Sequence, residues 1–165
     1  MRLFKRISEF TVTKALILGK NALLSVVNSA GVAVPGGKRV VSVTAATALN
    51  LADMGKVYVF GSTTATAVTI PEAADAEGAT LKFIVGAVPG ASVHSIATHA
   101  GGTVFAGGIN ELEVDTGDDG PSDTNAGVIN FTTISVIGDY VELYCDGSLW
   151  YFNGQTVADG GATLA

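Results

Sequence analysis

From Lys38 onward, short β-branched or aromatic runs alternate with Gly, Pro and Asp clusters, the rhythm of an all-β domain. The runs at 39–44 (RVVSVT), 56–60 (KVYVF), 67–70 (AVTI) and 80–85 (TLKFIV) predict strands. In the last of these, strict alternation puts Leu81, Phe83 and Val85 on one face and Lys82 on the other. Further runs predict strands at 92–98, 103–106 and 109–114, with Gly107-Gly108 as a break, and a long one over 127–137 (GVINFTTISVI).

The clearest element is the stretch 138–155, GDYVELYCDGSLWYFNGQ. Asp146-Gly147 is a favoured pair for a two-residue type I′ turn, in which both central residues take φ > 0. That turn would pair Cys145 with Ser148, Leu143 with Trp150 and Val141 with Phe152. Alternation then gathers Val141, Leu143, Cys145, Trp150 and Phe152 on one apolar face, with Glu142, Tyr144 and Tyr151 on the other. A one-residue slip would bury Glu142, so pattern and turn together restrict the register. A lone hairpin is marginal in water, and the other strands must cover its apolar face.

The first 39 residues behave differently. Their apolar positions (Leu3, Phe4, Ile7, Phe10, Val12 and onward) follow neither helical nor strand period over a full window, and Val34-Pro35-Gly36-Gly37 closes the segment with a breaker cluster. Charge divides at the same place. Residues 1–39 hold seven of the nine Lys/Arg and one acid, a net of +6; residues 40–165 hold two Lys and fourteen acids, a net of −12; together they give −6. The expected organisation is a basic, extended arm over 1–39, a β-domain over 40–156 that forms a compact antiparallel sandwich or barrel, and a loose tail over 157–165. Arg2, Phe4, Lys5, Arg6, Phe10, Lys14, Lys20, Lys38 and Arg39 are the arm residues expected to meet a partner surface. Nucleic acid is disfavoured as that partner, because the arm is sparse in Lys/Arg and aromatics and the acidic body repels phosphate.

Mean hydropathy is +0.44 with 15% charged residues, which abundant Ala and Val, or apolar surface hidden in an oligomer, would explain. No membrane span is expected, since the longest uncharged run, 83–110, is broken by Pro89, two His and repeated Gly. Arg2, Lys5 and Arg6 ahead of Ala15-Leu16-Ile17-Leu18 imitate a secretory leader, but Glu9 and Lys20-Asn21 interrupt it. Cys145 is the single cysteine, excluding an intrachain disulfide.

Candidate chemistry is thin. The acidic run 115–126 (DTGDDGPSDTNA) fits a calcium loop at Asp115, Asp119, Gly120 and Asp123, but Gly117 and Ala126 fail required ligand places. A cation site of another kind from Asp115, Asp118, Asp119 and Asp123 competes with a solvated loop. His94 and His99, five apart, fall on opposite strand faces and suit one chelated ion poorly, although one His per subunit around a three-fold axis would form a ring. Nucleophile elbows, phosphate loops and dinucleotide fingerprints are missing, Cys145 has no local His, and Glu142 with Glu111 or Glu113 is the sole carboxylate pairing to consider. The reading is a non-enzyme with no cofactor and no metal.

Three blocks in order, LADMGKVYVF (51–60), TAVTIPEAADAEGATLKFIV (66–85) and GDYVELYCDGSLWYFNGQ (138–155), resemble the β-domain of tailed-bacteriophage virion proteins, found in head decoration (cement) proteins and some fibre domains. Tyr140 stands where that pattern often has Trp, and residues 1–39 lie outside the resemblance. The resemblance implies a structural virion protein, a homotrimer on the outer surface of the capsid whose partner is the major capsid protein. The alternative is a fibre-type receptor- or glycan-binding module that would use the loops 92–108 or 115–125, where Phe105 is the exposed aromatic expected. An extracellular bacterial β-domain with a cleaved N-terminus is a third reading.

Overall fold

The computed structural model describes residues 39–102, 104–113 and 120–165, together with the strand pair β1 (Val26–Val27) and β2 (Ala33–Val34). The chain divides into two units, Met1–Gly36 and Gly37–Ala165, a boundary inside the expected breaker cluster. In the first unit β1 and β2 pair antiparallel, Val26 opposite Val34.

The second unit has twelve strands and two short 3₁₀ turns, Leu51–Asp53 and Ala73–Asp75, with no α-helix among the described residues. Its strands are β3 (Val40–Val43), β4 (Thr47–Ala48), β5 (Val57–Phe60), β6 (Ala67–Ile70), β7 (Thr80–Val85), β8 (His94–Thr98), β9 (Phe105–Glu111), β10 (Ser122–Ala126), β11 (Val128–Phe131), β12 (Tyr140–Cys145), β13 (Trp150–Thr156) and β14 (Ala162–Leu164). They form a seven-stranded sheet in the order β10-β9-β13-β12-β7-β5-β3 and a five-stranded sheet in the order β14-β11-β8-β6-β4. Alternating inward residues of the two sheets meet in one core. Phe60 of the larger sheet stacks on His94 of the smaller at 4.5 Å and 2° and meets the edge of Phe131 at 6.1 Å. The Trp150 indole N–H donates across the layers to the Pro71 carbonyl at 3.1 Å, so the ring is buried with its polar atom satisfied.

The expected antiparallel sheet is corrected to a mixed one. β12 pairs antiparallel with both β13 and β7, but β13–β9, β3–β5, β5–β7, β4–β6 and β6–β8 are parallel. Parallel neighbours require crossovers between sheets, and such crossovers leave no mark on local alternation. Two other expectations change. The Gly107-Gly108 break is the middle of β9, where a Cβ on Gly107 would lie 1.9 Å from the Phe152 carbonyl oxygen, so glycine permits the β9–β13 pairing. The tail expected to be loose carries β14, an edge strand with Ala162 buried, and Ala165 exchanges hydrogen bonds with Val128.

The hairpin is present with its predicted faces but another register. Cys145 lies opposite Trp150, Leu143 opposite Phe152 and Val141 opposite Gly154, two residues from the expectation. The connection is a four-residue loop, not a type I′ turn. Asp146 Oδ1 accepts from the Ser148 and Leu149 amides, both at 2.8 Å, and Gly147 alone takes positive φ, at 90°. An even shift preserves side-chain parity, which is why the five inward residues stand unchanged.

Candidate functional site

The sequence-nominated residues separate into three groups. Val141, Leu143, Cys145, Trp150 and Phe152 are all buried, so they are core and not contact surface. Burial pushes the Cys145 thiol up, and its Sγ–H donates to the Ala73 carbonyl at 3.3 Å, an inert setting. Arg2, Phe4, Lys5, Arg6, Phe10, Lys14, Lys20 and Lys38 lie outside the described residues, as do Asp115, Asp118 and Asp119. Arg39 is exposed and lines a groove of about 250 Å³ with Asp53, Lys56 and Tyr58. There the Lys56 ammonium 2.6 Å from Asp53 is the main cause holding that carboxyl low, and burial pushes the Tyr58 phenol up to about 12.

Other nominations are separated by the fold. His94 is wholly buried with Nε2 2.9 Å from the Ala87 carbonyl, while His99 is exposed, so an inter-subunit ring through His94 is ruled out by its position. Asp123 sits on edge strand β10, which replaces part of the expected acidic loop, and its Oδ1 accepts from the Asn125 amide. Among the described residues no cluster of three metal-ligating side chains occurs. Glu142 faces outward in mid-sheet, 2.9 Å from Lys82, whereas Glu111 and Glu113 accept from the Gly160 and Asp159 amides; the two groups serve different elements. Phe105, expected exposed, is buried.

The outer face of the larger sheet is aromatic and polar. Tyr144 and Tyr151 are direct cross-strand neighbours, each nearly half exposed. Their hydroxyls donate to Glu142 and Asp146, which raises both phenols because those bonds favour the protonated form. Lys82 lies 4.0 Å above the Tyr140 ring.

The two ends of the sandwich differ, which sequence reasoning missed. β12 is flanked by Asp139 at one end and Asp146 at the other. The Asp146 end carries the hairpin loop and the acidic turn with Glu72, Asp75 and Glu77; a Cβ on Gly147 would touch Glu77. The Asp139 end gathers five of the nine exposed large hydrophobic residues among the described ones: Leu112, Ile134, Val136, Ile137 and Val157. Its organiser is the buried Asp139 carboxylate, whose Oδ2 accepts from the Val136 amide at 2.6 Å and Oδ1 from the Val157 amide at 3.0 Å. The Leu112 amide donates to the Thr156 carbonyl at 2.9 Å, and Ile134 Cδ1 would lie 3.3 Å from a Cβ on Gly160. These bonds bring three separate segments to one apolar end. The expected strand over 127–137 stops at Phe131. Beyond it, Thr132 and Ser135 bond locally, Thr132 Oγ1 accepting from the Ile134 amide and Ser135 Oγ donating to the Thr132 carbonyl.

Compared with family models, curated proteins and solved structures, the chain matches none.

Proposed function

We propose that this chain is a capsid decoration protein, a structural β-body that a basic arm fastens to the outside of a virion shell as a homotrimer. One observation carries the reading. The three blocks on which the decoration-protein resemblance rests fall largely on β5, β6, β7, β12 and β13, and four of these are consecutive neighbours, β13-β12-β7-β5, at the centre of one sheet. A pattern scattered by chance along the chain has no reason to assemble into one contiguous structural unit. The charge division adds a mechanism: the acidic body keeps the particle in solution while a +6 arm seeks an acidic or apolar shell. Three arms on one trimer would turn individually weak contacts into firm attachment through effective concentration.

The test is co-sedimentation of the full chain and a form lacking residues 1–39 with capsid shells of the encoding virus, with light scattering on both. The expected result is shell binding by the full chain alone. Equal binding by the truncated form would refute the arm's role, and absence of binding by both would refute decoration.

A fibre-type binding module is the second reading, now favoured by the Tyr144–Tyr151 pair on the sheet face and not by the loops. A glycan array on wild type and a Tyr144→Ala, Tyr151→Ala variant separates the two: hits lost in the variant support it, and no hits at all remove it.

A further inference from the structure

We infer that the Tyr144–Tyr151 pair on the outer face of the larger sheet is a cation platform that takes an arginine side chain of a partner protein. The same face carries the arrangement already filled once. Across β12 and β7, Tyr140 lies opposite Ile84, Glu142 opposite Lys82 and Tyr144 opposite Thr80. The Lys82 ammonium, held by Glu142 at 2.9 Å, lies 4.0 Å above the Tyr140 ring, where the negative face of the ring attracts it. Two residues along β7 the place of Lys82 is taken by Thr80, so Tyr144 has no cation supplied by its neighbour on β7.

The two rings are open and fixed. Tyr140, beneath Lys82, is half-buried, whereas Tyr144 is 44% and Tyr151 45% exposed. Thr80 flanks Tyr144 and Ala106 flanks Tyr151, both short side chains, so the adjacent strands leave the pair uncovered. Tyr144 Oη donates to Glu142 at 2.9 Å and Tyr151 Oη to Asp146 at 3.0 Å. Rings anchored in this way lose little further freedom when a ligand settles on them.

Charge selects the ligand. The pair lies toward the Asp146 end, where a Cβ on Gly147 would lie 3.3 Å from Glu77. The two Lys of residues 40–165 are both engaged within the body, Lys56 with Asp53 and Lys82 with Glu142, against fourteen acids in the same span. An acidic surface whose own lysines are committed draws a cationic partner. Guanidinium suits the platform better than ammonium. It is planar and weakly hydrated, so it stacks on a Tyr face, and its in-plane N–H donors reach a carboxylate at the hydroxyl end of the ring, where Asp146 stands for Tyr151. A neutral sugar would also stack on the rings but would gain nothing from the charge. The inference goes beyond the decoration reading, because it needs neither the arm nor a shell, and it gives the Tyr pair a cation where the second reading gives it a glycan.

The experiment is an NMR titration of the full chain with three blocked pentapeptides: GRGRG, GKGKG, and GRGRG with citrulline, the uncharged isostere, in place of arginine. The expected result is binding of the arginine peptide with its δ-methylene protons shifted upfield by the ring currents, weaker binding of the lysine peptide and none of the citrulline peptide. A Tyr144→Ala, Tyr151→Ala variant should weaken arginine-peptide binding at least about fivefold with the net charge unchanged, and a Tyr144→Phe, Tyr151→Phe variant, which keeps both rings, should stay within about twofold. Trp150 fluorescence checks folding, and the upfield shift is read on the wild type, so the test stands even where the alanine variant fails to fold. No binding of the arginine peptide, or binding without the upfield shift, would overturn the inference. Equal binding by the folded alanine variant would leave only general attraction to an acidic body, and equal binding of the lysine or citrulline peptide would remove the guanidinium; either outcome also overturns it. Glycan-array hits lost in the alanine variant, with no binding of the arginine peptide, would assign the face to a sugar instead. Shell co-sedimentation is scored separately, so failure of this site and failure of the decoration reading are told apart.

Discussion

Removing the Asp139 carboxylate should loosen the apolar end before it touches the rest of the fold. The residue is 2% exposed; its carboxylate accepts from the Val136 and Val157 amides, while its own amide donates to the Val136 carbonyl at 3.0 Å. Asp139→Ala deletes two hydrogen bonds to a charged acceptor, each worth about 1.5–3 kcal/mol, and strands two amides at the ends of exposed segments where water recovers part of the loss. A net cost of roughly 3 kcal/mol follows, which for a body of this size lowers the melting temperature by about 6–12 °C. Asp139→Asn keeps one acceptor and turns an NH₂ toward the other amide, so it should fall between wild type and Asp139→Ala. Thermal unfolding followed by Trp150 fluorescence measures the loss. Hydrogen exchange locates it, with the Val136 and Val157 amides losing protection and the Leu143 amide keeping it. A cost under about 1 kcal/mol, or uniform loss of protection, would refute the reasoning.

Gly107→Ala should destabilise by roughly 3 kcal/mol through overpacking and left-handed strain, because the new methyl lies on the Phe152 carbonyl; a melting temperature within 2 °C of wild type would contradict the β9–β13 register. Cys145 should resist a thiol reagent at pH 8 until the protein unfolds, since it is 7% exposed and its thiol is raised by burial; rapid labelling of the native protein would contradict its placement. The Asp146 carboxyl is held below its ordinary 3.8 by amides of Leu149 and Ser148 and the Tyr151 hydroxyl. A lowered folded value means the stabilisation is complete above the unfolded value and fades as pH falls through the folded one. The melting-temperature gap between wild type and Asp146→Ala should therefore be constant from pH 7 to 5 and close below about pH 4; a gap that persists at pH 2 would refute the loop assignment.

What was legible in the sequence, and what was not, divides by range. Alternation placed TLKFIV to the residue and chose the buried faces of both that strand and the hairpin, because parity is a local property. Register was not legible from the turn pair. Asp146 bonds forward to two amides and so stabilises a longer loop than Asp-Gly alone suggests. Parallel pairing of β3, β5 and β7 depends on chain crossing between layers, which no window of residues encodes. The apolar end was hidden for a third reason. Ile134, Val136 and Ile137 keep hydrophobic character after β11 and so imitate its continuation, and the signal against this was Thr132-Thr133 followed by Ser135 and Asp139, short side chains that compete for backbone bonds.

The parallel pairing of β9 with β13 also sets a clock. Hairpin β12–β13 closes over a four-residue loop and forms on the microsecond scale, whereas β9 reaches its neighbour only after β10, β11 and β12 have been passed along the chain. Topologies dominated by such distant pairings fold in milliseconds to seconds. Until β9 docks, one side of β13 is an open edge bearing Trp150 and Phe152, the segment of the nascent chain most exposed to pairing with the wrong molecule.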